Sequence, residues 1–542
     1  YTPTVGVPSG PGTWKDISPY SVRSGDSGGF SGITLDAERP GVIMVSTMDD
    51  YNAGDAIYRS LNYGQTWTIL EQNSSGPALN DEAFALWLQF GTQKTPPSIK
   101  TENWPSALAI DPFNSDHAVF GTGQTLWDTT NLTQIDINQQ PVFSVGAYGS
   151  APSPALLKQI PGGTSIEETV VLGLSSPPTG AFLLSAVGDL GTFVHTTLDT
   201  SPALGSDTAP LFTTGTSVDF AQNSALQIVR VGTGSNLNDT SASLSWYSNS
   251  TANPQPSCTT QKHSDSSCFQ VKVPQLLATS TAQGIQNSWR GIDTLYAAPN
   301  LQSITPTTKL SVGGGTVAIA SDATTIVWAT YDFPPACTGD GGNTWTPAVN
   351  GIIGAQVVSD RVTPGKYYMY DSTSGKLLMG VATVNPGTSS TPFQCNLTFN
   401  TQSTLPAYSL GQLTASFGGA GDIWLAINGS GTSSANGLYH STDSGKTLQK
   451  AGSFTQAYAV GLGAAATSSA TPAFSKPAIY TAANGPAGYG FYRSIDNGAT
   501  FVLVSNPAHL MGTVNQIVGD PRTFGRYYIG TGGRGIAYAD SQ

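Results

Sequence analysis

The sequence predicts an all-β chain, a β-propeller built on Asp-box repeats, with one complete seven-bladed ring preceded by the last blades of another. Three observations predict it. Gly is abundant, at 62 of 542 residues, and long amphipathic helical patterns are absent. A turn motif, Ser-x-Asp-x-Gly-x-Thr followed by an aromatic, recurs along the chain. Between its copies a second pattern recurs, in which apolar residues run into an Asp, a tight turn and then a β-rich stretch.

The clearest copy of the turn motif is Ser494-Ile-Asp496-Asn-Gly498-Ala-Thr500-Phe501. Looser copies run from Ser441 to Leu448 around Asp443, from Thr338 to Trp345 around Asp340, and from Ser60 to Trp67 with Asn62 in the Asp position. The chemistry is that of a hairpin turn. The carboxylate accepts backbone N–H bonds and Gly takes the position with positive φ. The residue after Thr opens the next strand and packs between sheets. These aspartates are therefore read as structural. Asp443 and Asp496 are 53 residues apart, and Asp340 and Asp443 are 103 apart, close to twice that.

The second pattern places Asp36, Asp111, Asp360 and Asp520 at one repeat position, after Ile33-Thr-Leu, Leu108-Ala-Ile, Val357-Val-Ser and Ile517-Val-Gly. All four are read as turn residues. With the motif hairpin, one unit has four strands in about fifty residues, the plan of a propeller blade. Seven units begin near Glu168, Leu226, Gly314, Gln356, Leu413, Ala457 and Gln516, so residues 166–542 are expected to close a ring. Residues 1–133 hold two units and an opening strand near Trp14-Lys15-Asp16-Ile17. Residues 134–165, rich in Gln, Pro, Gly and Ser, read as a linker or inserted loop. Two blades cannot close a ring. A first ring of seven would need about five more, roughly 250 residues at ~50 each, and a companion N-terminal chain is expected to supply them.

Composition removes several classes of function. Only 10% of residues are charged, and Lys plus Arg at 22 against Asp plus Glu at 34 leaves a net charge of -12. Nucleic acid, a polyanion, is not an expected partner. No run approaches the ~18–20 apolar residues of a membrane span, and no membrane partner is expected. Five histidines without a His/Cys spacing pattern point to no metal, and no cofactor is expected. The chain opens at Tyr1 without a signal segment and reads as processed or truncated. Acceptor sequons stand at Asn73, Asn131, Asn238, Asn249, Asn396 and Asn428. Cys258 and Cys268 share one polar loop that suits a short disulfide; for Cys337 and Cys395 a disulfide and buried thiols fit equally well. Together these features favour a secreted, extracellular protein.

Several stretches resemble glycoside hydrolase family 74, the xyloglucan-degrading tandem propellers. Gly29-Phe-Ser-Gly-Ile-Thr-Leu-Asp36 with Arg39-Pro-Gly-Val-Ile-Met44 resembles a late blade of that family's first propeller. Ala109-Ile-Asp-Pro-Phe-Asn-Ser-Asp116, followed by Gly121-Thr-Gly123, is similar to the next. Ile166-Glu-Glu-Thr-Val-Val-Leu-Gly-Leu174 and Leu184-Ser-Ala-Val-Gly-Asp-Leu-Gly191 look like the opening of the second propeller, and Gly530-Thr-Gly-Gly-Arg-Gly-Ile536 like its closing strand. The resemblance implies an inverting β-1,4-glucanase acting on xyloglucan or a related β-glucan held between two propellers. It places the general acid at Asp189, in the Gly-Asp-x-Gly loop, and the general base upstream of Tyr1, on no residue of this sequence. Thr192 departs from the family's second Gly at that position.

Inversion needs one protonated carboxyl on the leaving oxygen and one carboxylate activating water on the opposite face. The acid must hold its proton near working pH, so Asp189, in an apolar stretch, is expected to have a raised pKa. Its bland reading is a turn residue between two strands. Sugar rings stack their C–H faces on aromatics, which makes Trp87, Trp104 and Trp127 candidate platforms, with core packing as the bland reading of each. Asp49, Asp50 and Tyr51, on an expected blade-edge loop, are candidate sugar contacts or solvated loop residues. Two other readings compete. One is a non-catalytic carbohydrate- or protein-binding propeller, or a fragment inactive without its partner carboxylate. The other is a sialidase, for which the scattered Arg23, Arg230, Arg290 and Arg361 offer no motif.

Overall fold

The structure, a computed structural model, describes residues 15–20, 29–50, 54–72, 79–81, 104–123, 126–139, 141–145, 169–198, 202, 214–233, 243–248, 290–291, 314–331, 334–340, 345–387, 393–407, 411–429, 434–466, 476–507 and 510–541. The chain forms two compact units. One is Tyr1–Gln89 with Gln93–Glu168, the other Phe90–Thr92 with Thr169–Gln542.

The second unit is a seven-bladed propeller. The first strand of each blade lies innermost: Val171–Ser175, Thr214–Ala221, Thr316–Ile319, Gln356–Ser359, Gly411–Ala415, Gln456–Gly463 and Val514–Gly519. Each contacts the next, and the last returns to the first, so the ring is closed. The remaining strands of each blade follow outward as antiparallel neighbours, as in Gly411–Ala415, Ile423–Ile427, Gly437–Ser441 and Gln449–Ala451. Second strands are apolar runs rather than alternating ones. Ile423–Ile427 (Ile-Trp-Leu-Ala-Ile) and Leu183–Val187 (Leu-Leu-Ser-Ala-Val) are buried throughout, because a blade is covered on both faces by its neighbours.

An innermost strand has no strand partner on its channel side, and polar side chains from the adjacent blade satisfy part of that edge. Gln356 donates from Nε2 to Leu413 O and accepts at Oε1 from Leu413 N. Gln412 accepts from Val460 N, and Gln516 donates to Leu172 O across the closing junction. Ser217, Asp219 and Thr316 accept from Val317 N, Ile319 N and Val357 N. Closure is completed by an antiparallel bridge between Val170 and Gly532 and by Gly535 N donating to Thr169 O. The second blade starts at Thr214, not near Leu226, which lies inside the following strand Ser224–Thr233. Its inner strand, Thr-Gly-Thr-Ser-Val-Asp-Phe-Ala, is too polar to stand out beside Leu226-Gln-Ile-Val-Arg-Val.

The Asp-box turns link the third and fourth strands of their blades. In Ser441–Thr447 the Ser441 hydroxyl donates to Asp443 Oδ1 (2.8 Å) and accepts from Gly445 N (2.9 Å), and Asp443 Oδ1 accepts from Thr447 N (2.9 Å). Ser494–Thr500 repeats this network, and Ser60–Thr66 does so with Asn62. Positive φ falls on two successive residues, Ser444 with Gly445 and Asn497 with Gly498. The box glycines also abut the preceding blade. A Cβ on Gly445 would lie 2.6 Å from Leu377, and one on Gly498 2.6 Å from Trp424. Cys337 and Cys395 form a disulfide, Cα atoms 5.6 Å apart, between the third blade and a side ribbon of the fourth. Cys258 and Cys268 lie outside the described residues.

The first unit holds two blade-like sheets. One runs Gly29–Leu35, Ile43–Met48, Ala56–Ser60, Thr68–Gln72. The other runs outward from Ala107–Asp111 through Asn114–Gly121, Leu126–Thr129 and Val142–Val145, with Leu79–Asp81 added in parallel outside. Where the sequence suggested a linker over 134–165, the described residues complete a short helical turn, Leu132–Ile137, and form the fourth strand, Val142–Val145. Asp136 in that turn is gripped by Arg59 at 2.9 Å and by Arg39 at 2.6 Å. Burial pushes its carboxyl up, but the two guanidinium groups outweigh burial and hold it below the usual carboxylate range. The opening segment packs on the first sheet. Trp67 donates from Nε1 to Ile17 O (2.8 Å), and Tyr20 lies against Phe30 and Tyr58.

Candidate active site

Asp189 sits in the turn Gly188-Asp189-Leu190 between the second strand of the first blade, Leu183–Val187, and the third, Gly191–His195. The strand pairing runs to its end, Val187 opposite Gly191, so only three residues make the reversal. Such a turn needs a left-handed backbone, and Asp189 takes it at φ 60°, with Gly191 at φ 92°. Aspartate tolerates that region better than most residues. Three contacts fix the turn. Leu190 is buried among Val171, Leu183, Phe193 and Tyr528. Gly188 N donates to Val170 O (2.9 Å), and Asp189 N donates to Thr214 Oγ1 (3.2 Å) on the next blade.

The backbone is therefore anchored and the side chain is left open. Asp189 is exposed, and among the described residues no hydrogen bond or ion pair reaches its carboxyl oxygens. The protein crowded around it still withdraws hydration, and this desolvation raises its pKa above the ordinary carboxylate value. Access and proton affinity thus come from different sides of one group.

Thr192 does not disturb this. It is buried opposite Ala186 in the hairpin, and its hydroxyl accepts from Arg230 Nη1 (2.9 Å) on the second blade. Gly215 makes the room, since a Cβ there would lie 2.6 Å from Thr192 Cγ2 and 2.3 Å from Gly191 O. His195, three residues further, hydrogen-bonds the Ser185 hydroxyl through Nε2 (2.8 Å). Part of the residue is open to solvent, yet burial of the ring pushes its pKa down to about 4, which keeps it neutral.

The remaining candidates separate. Trp127 is 0% exposed, stacked on Phe120 and packed with Phe143 and Leu132. It is a core residue with no ring face for a sugar, which corrects the expectation of a platform. Trp104 is 44% exposed, at φ 70°, with its backbone N–H donating to Asp55 Oδ2 (2.8 Å). Asp55 also accepts from Asp50 N (3.1 Å) and Thr47 Oγ1 (3.2 Å), so one buried carboxylate brings Trp104 and Asp50 together. Tyr20 reaches Asp50 Oδ2 at 3.5 Å. No local motif marks Asp55, a single acid at a strand start. Trp87 and Tyr51 lie outside the described residues, as do Asn73, Asn238 and Asn249. Of the other sequons, Asn396 is exposed, Asn428 is half-buried, and Asn131 has its Oδ1 engaged by Thr129 and Val142.

The repeat-position aspartates are all committed to turns. Asp360 accepts from Val362 N, Thr363 N, Tyr368 OH and, on the next blade, Gly421 N. Asp520 accepts from Arg522 and Tyr528, and Asp36 and Asp111 accept from backbone N–H groups two residues on. Among the described residues no group of three His, Cys, Asp or Glu side chains could hold a metal, and no helix is long and apolar enough to cross a membrane.

No family model matches the chain. It is 33% identical over 546 residues to a xyloglucanase of a Paenibacillus species, covering 98% of this chain and 44% of that protein. It is 30% identical over 571 residues to a probable oligoxyloglucan-reducing end-specific xyloglucanase of Neosartorya fischeri, covering 97% and 62%. The crystal structure of the family 74 xyloglucanase from Xanthomonas campestris matches with a TM-score of 0.63 at 27% identity, over 98% of this chain and 62% of that one. The chain spans about half the length of the curated relatives it matches. With its ring of blades, the chain is similar over nearly its whole length to these xyloglucanases and to the family 74 structure.

Proposed function

We propose that this chain carries the general acid of an inverting glycoside hydrolase that cleaves the β-1,4-glucan backbone of xyloglucan, and that the acid is Asp189. The observation that carries the reading is the contrast at that residue: a backbone pinned by neighbouring strands, an open carboxyl and a pKa raised by desolvation. A protonated carboxyl so placed can pass its proton to the glycosidic oxygen as the C–O bond breaks. In the same displacement water adds to the opposite face of the sugar and loses its proton to a second carboxylate.

The second carboxylate is assigned to a companion segment that completes the first propeller. Exposed apolar side chains on the first sheet of the first unit support this. Ile33 and Leu35 on its innermost strand are 67% and 65% exposed, and Ile69 on the same face is 37% exposed. Apolar rows of that kind are covered when another blade packs on them. Trp104, with Asp50 beside it, is the described aromatic of the first unit retained as a sugar contact. A polymer substrate too large to cross a membrane places the enzyme outside the cell, in keeping with an exposed sequon at Asn396.

The test is release of new reducing ends by the protein with its companion segment, on xyloglucan, cellulose and carboxymethyl cellulose. Activity preferring xyloglucan is expected. A folded sample that binds glucan and cleaves none of the three would contradict the reading and leave a binding propeller.

A further inference from the structure

Tyr331 is 54% exposed and follows the second strand of the third blade, Ile326–Ala329, ahead of the third strand, Ala336–Thr338. Asp189 occupies the same position in the first blade. Strand direction alternates, so turns between second and third strands all lie at one end of the ring, and the two residues share that end.

A continuous set of contacts joins them. Asp189 N donates to Thr214 Oγ1, and Thr216, two residues along the same strand, donates from Oγ1 to Gly315 O (2.9 Å). The Tyr331 ring rests on the adjoining glycine: a Cβ on Gly314 would lie 2.8 Å from Tyr331 Cε2 and 3.1 Å from Thr216 Cγ2. The rise of two residues along this strand, about 7 Å, and a side-chain contact at each end put the ring on the order of 10–15 Å from Asp189.

The support under the ring is rigid. Gly314 and Gly315 have φ 66° and 79°, and a Cβ on Gly315 would lie 2.0 Å from Ala329 O, so only glycine lets the backbone run there. Gly314 O accepts from Nε1 of Trp328 (2.7 Å), itself a buried core residue. Behind Tyr331, Gly354 N donates to Thr330 O (2.9 Å). The phenol end is crowded: burial raises its pKa, and a backbone hydrogen bond with Gly315 opposes that rise. A large aromatic surface stays open to solvent, on a support it cannot move, at the same end of the ring as the open carboxylate of Asp189.

We propose that Tyr331 is an aromatic platform that seats a sugar ring of the glucan chain on which Asp189 acts, a few residues from the bond cleaved. This rests on the function proposed for Asp189. Pyranose rings present apolar C–H faces, and an aromatic held in place binds them at little entropic cost.

The test compares wild type, Tyr331→Ala, Tyr331→Phe and Tyr331→Trp in the full protein. Retention in gels containing xyloglucan is measured first, then KM and kcat on the polymer. Tyr331→Ala is expected to weaken retention and raise KM about three- to tenfold, with kcat little changed and the unfolding midpoint kept. Tyr331→Phe and Tyr331→Trp keep the ring and should stay within about twofold of wild type. If wild type is retained and Tyr331→Ala is retained equally, the platform is wrong while the Asp189 reading stands. If Tyr331→Phe loses as much as Tyr331→Ala, the hydroxyl is the contact and stacking is refuted. If wild type neither binds nor cleaves xyloglucan, both readings fall.

Discussion

Substituting Gly498 by Ala tests how the Asp-box turns lock one blade to the next. Gly498 has φ 85°, and a Cβ there would lie 2.6 Å from Trp424 Cη2, 3.2 Å from its Cζ3 and 3.3 Å from Ala451 Cβ. Trp424 has little room to yield. It is 1% exposed and stacked on His440 at 3.9 Å, and His440 is itself held by Asp422 at 2.9 Å. Two costs follow: about 1–2 kcal/mol for an L-residue in a left-handed conformation, and about 1–3 kcal/mol for forcing a methyl into a packed core. Gly488 separates them. It has φ 94°, with nothing within 4 Å of its Cβ position, so Gly488→Ala bears the backbone cost alone. Equilibrium urea unfolding, followed by tryptophan fluorescence on the transition that both variants share, compares them directly. Gly498→Ala should be the less stable by about 1–3 kcal/mol. Equal destabilisation would refute the claim that the box glycine is required by the neighbouring blade.

Two further outcomes follow from the same contacts. The Thr447 N–H, the Thr447 hydroxyl and the Ser441 hydroxyl pull Asp443 down to about 2. Burial works against the same effect at Asp496, but Thr500 and Ser494 outweigh it and bring it to about 2. With native values below the unfolded ~3.9, the stability they add is complete above that value and is lost as pH falls from about 4 to about 2. The double variant Asp443→Asn, Asp496→Asn should flatten stability against pH in that window; an unchanged acid limb would contradict it. Trp127→Ala should cost about 3–5 kcal/mol, as for other buried tryptophans, while Trp104→Ala should leave the unfolding midpoint near wild type. Similar losses in both would show that exposure does not distinguish the two residues.

What the sequence made legible was local. Ser441, Asp443, Gly445 and Thr447 find one another within seven residues, so spacing alone reveals the turn and the strands beside it. The second strands were equally plain, because burial on two faces leaves runs such as Ile423-Trp-Leu-Ala-Ile427. Inner strands were harder. Their residues serve the neighbouring blade through polar side chains, as Ser217, Asp219 and Gln356 do, and this disguised the start of the second blade at Thr214. The Cys337–Cys395 bond, 58 residues apart in sequence, could not be chosen over free thiols. At the candidate site, Asp189 came from a motif resemblance, and its open carboxyl only from the fold. Trp127 and Trp104 look alike in sequence, and only the packing of Phe120, Leu132 and Phe143 around the former tells them apart. Asp55 and Tyr331 carry no local signature: the Trp104 that Asp55 holds and the Gly314 under Tyr331 belong to other strands or loops of the sequence.

The central claim is that Asp189 protonates the leaving oxygen. The most direct measurement compares wild type and Asp189→Asn on two substrates, xyloglucan and an aryl glycoside of a xyloglucan oligosaccharide whose phenolate departs without a proton. Asp189→Asn should lose about a hundred- to ten-thousandfold in kcat on xyloglucan, keep its retention in xyloglucan gels, and lose far less on the aryl glycoside. Wild-type turnover on xyloglucan, or an equal loss on both substrates, would contradict the assignment.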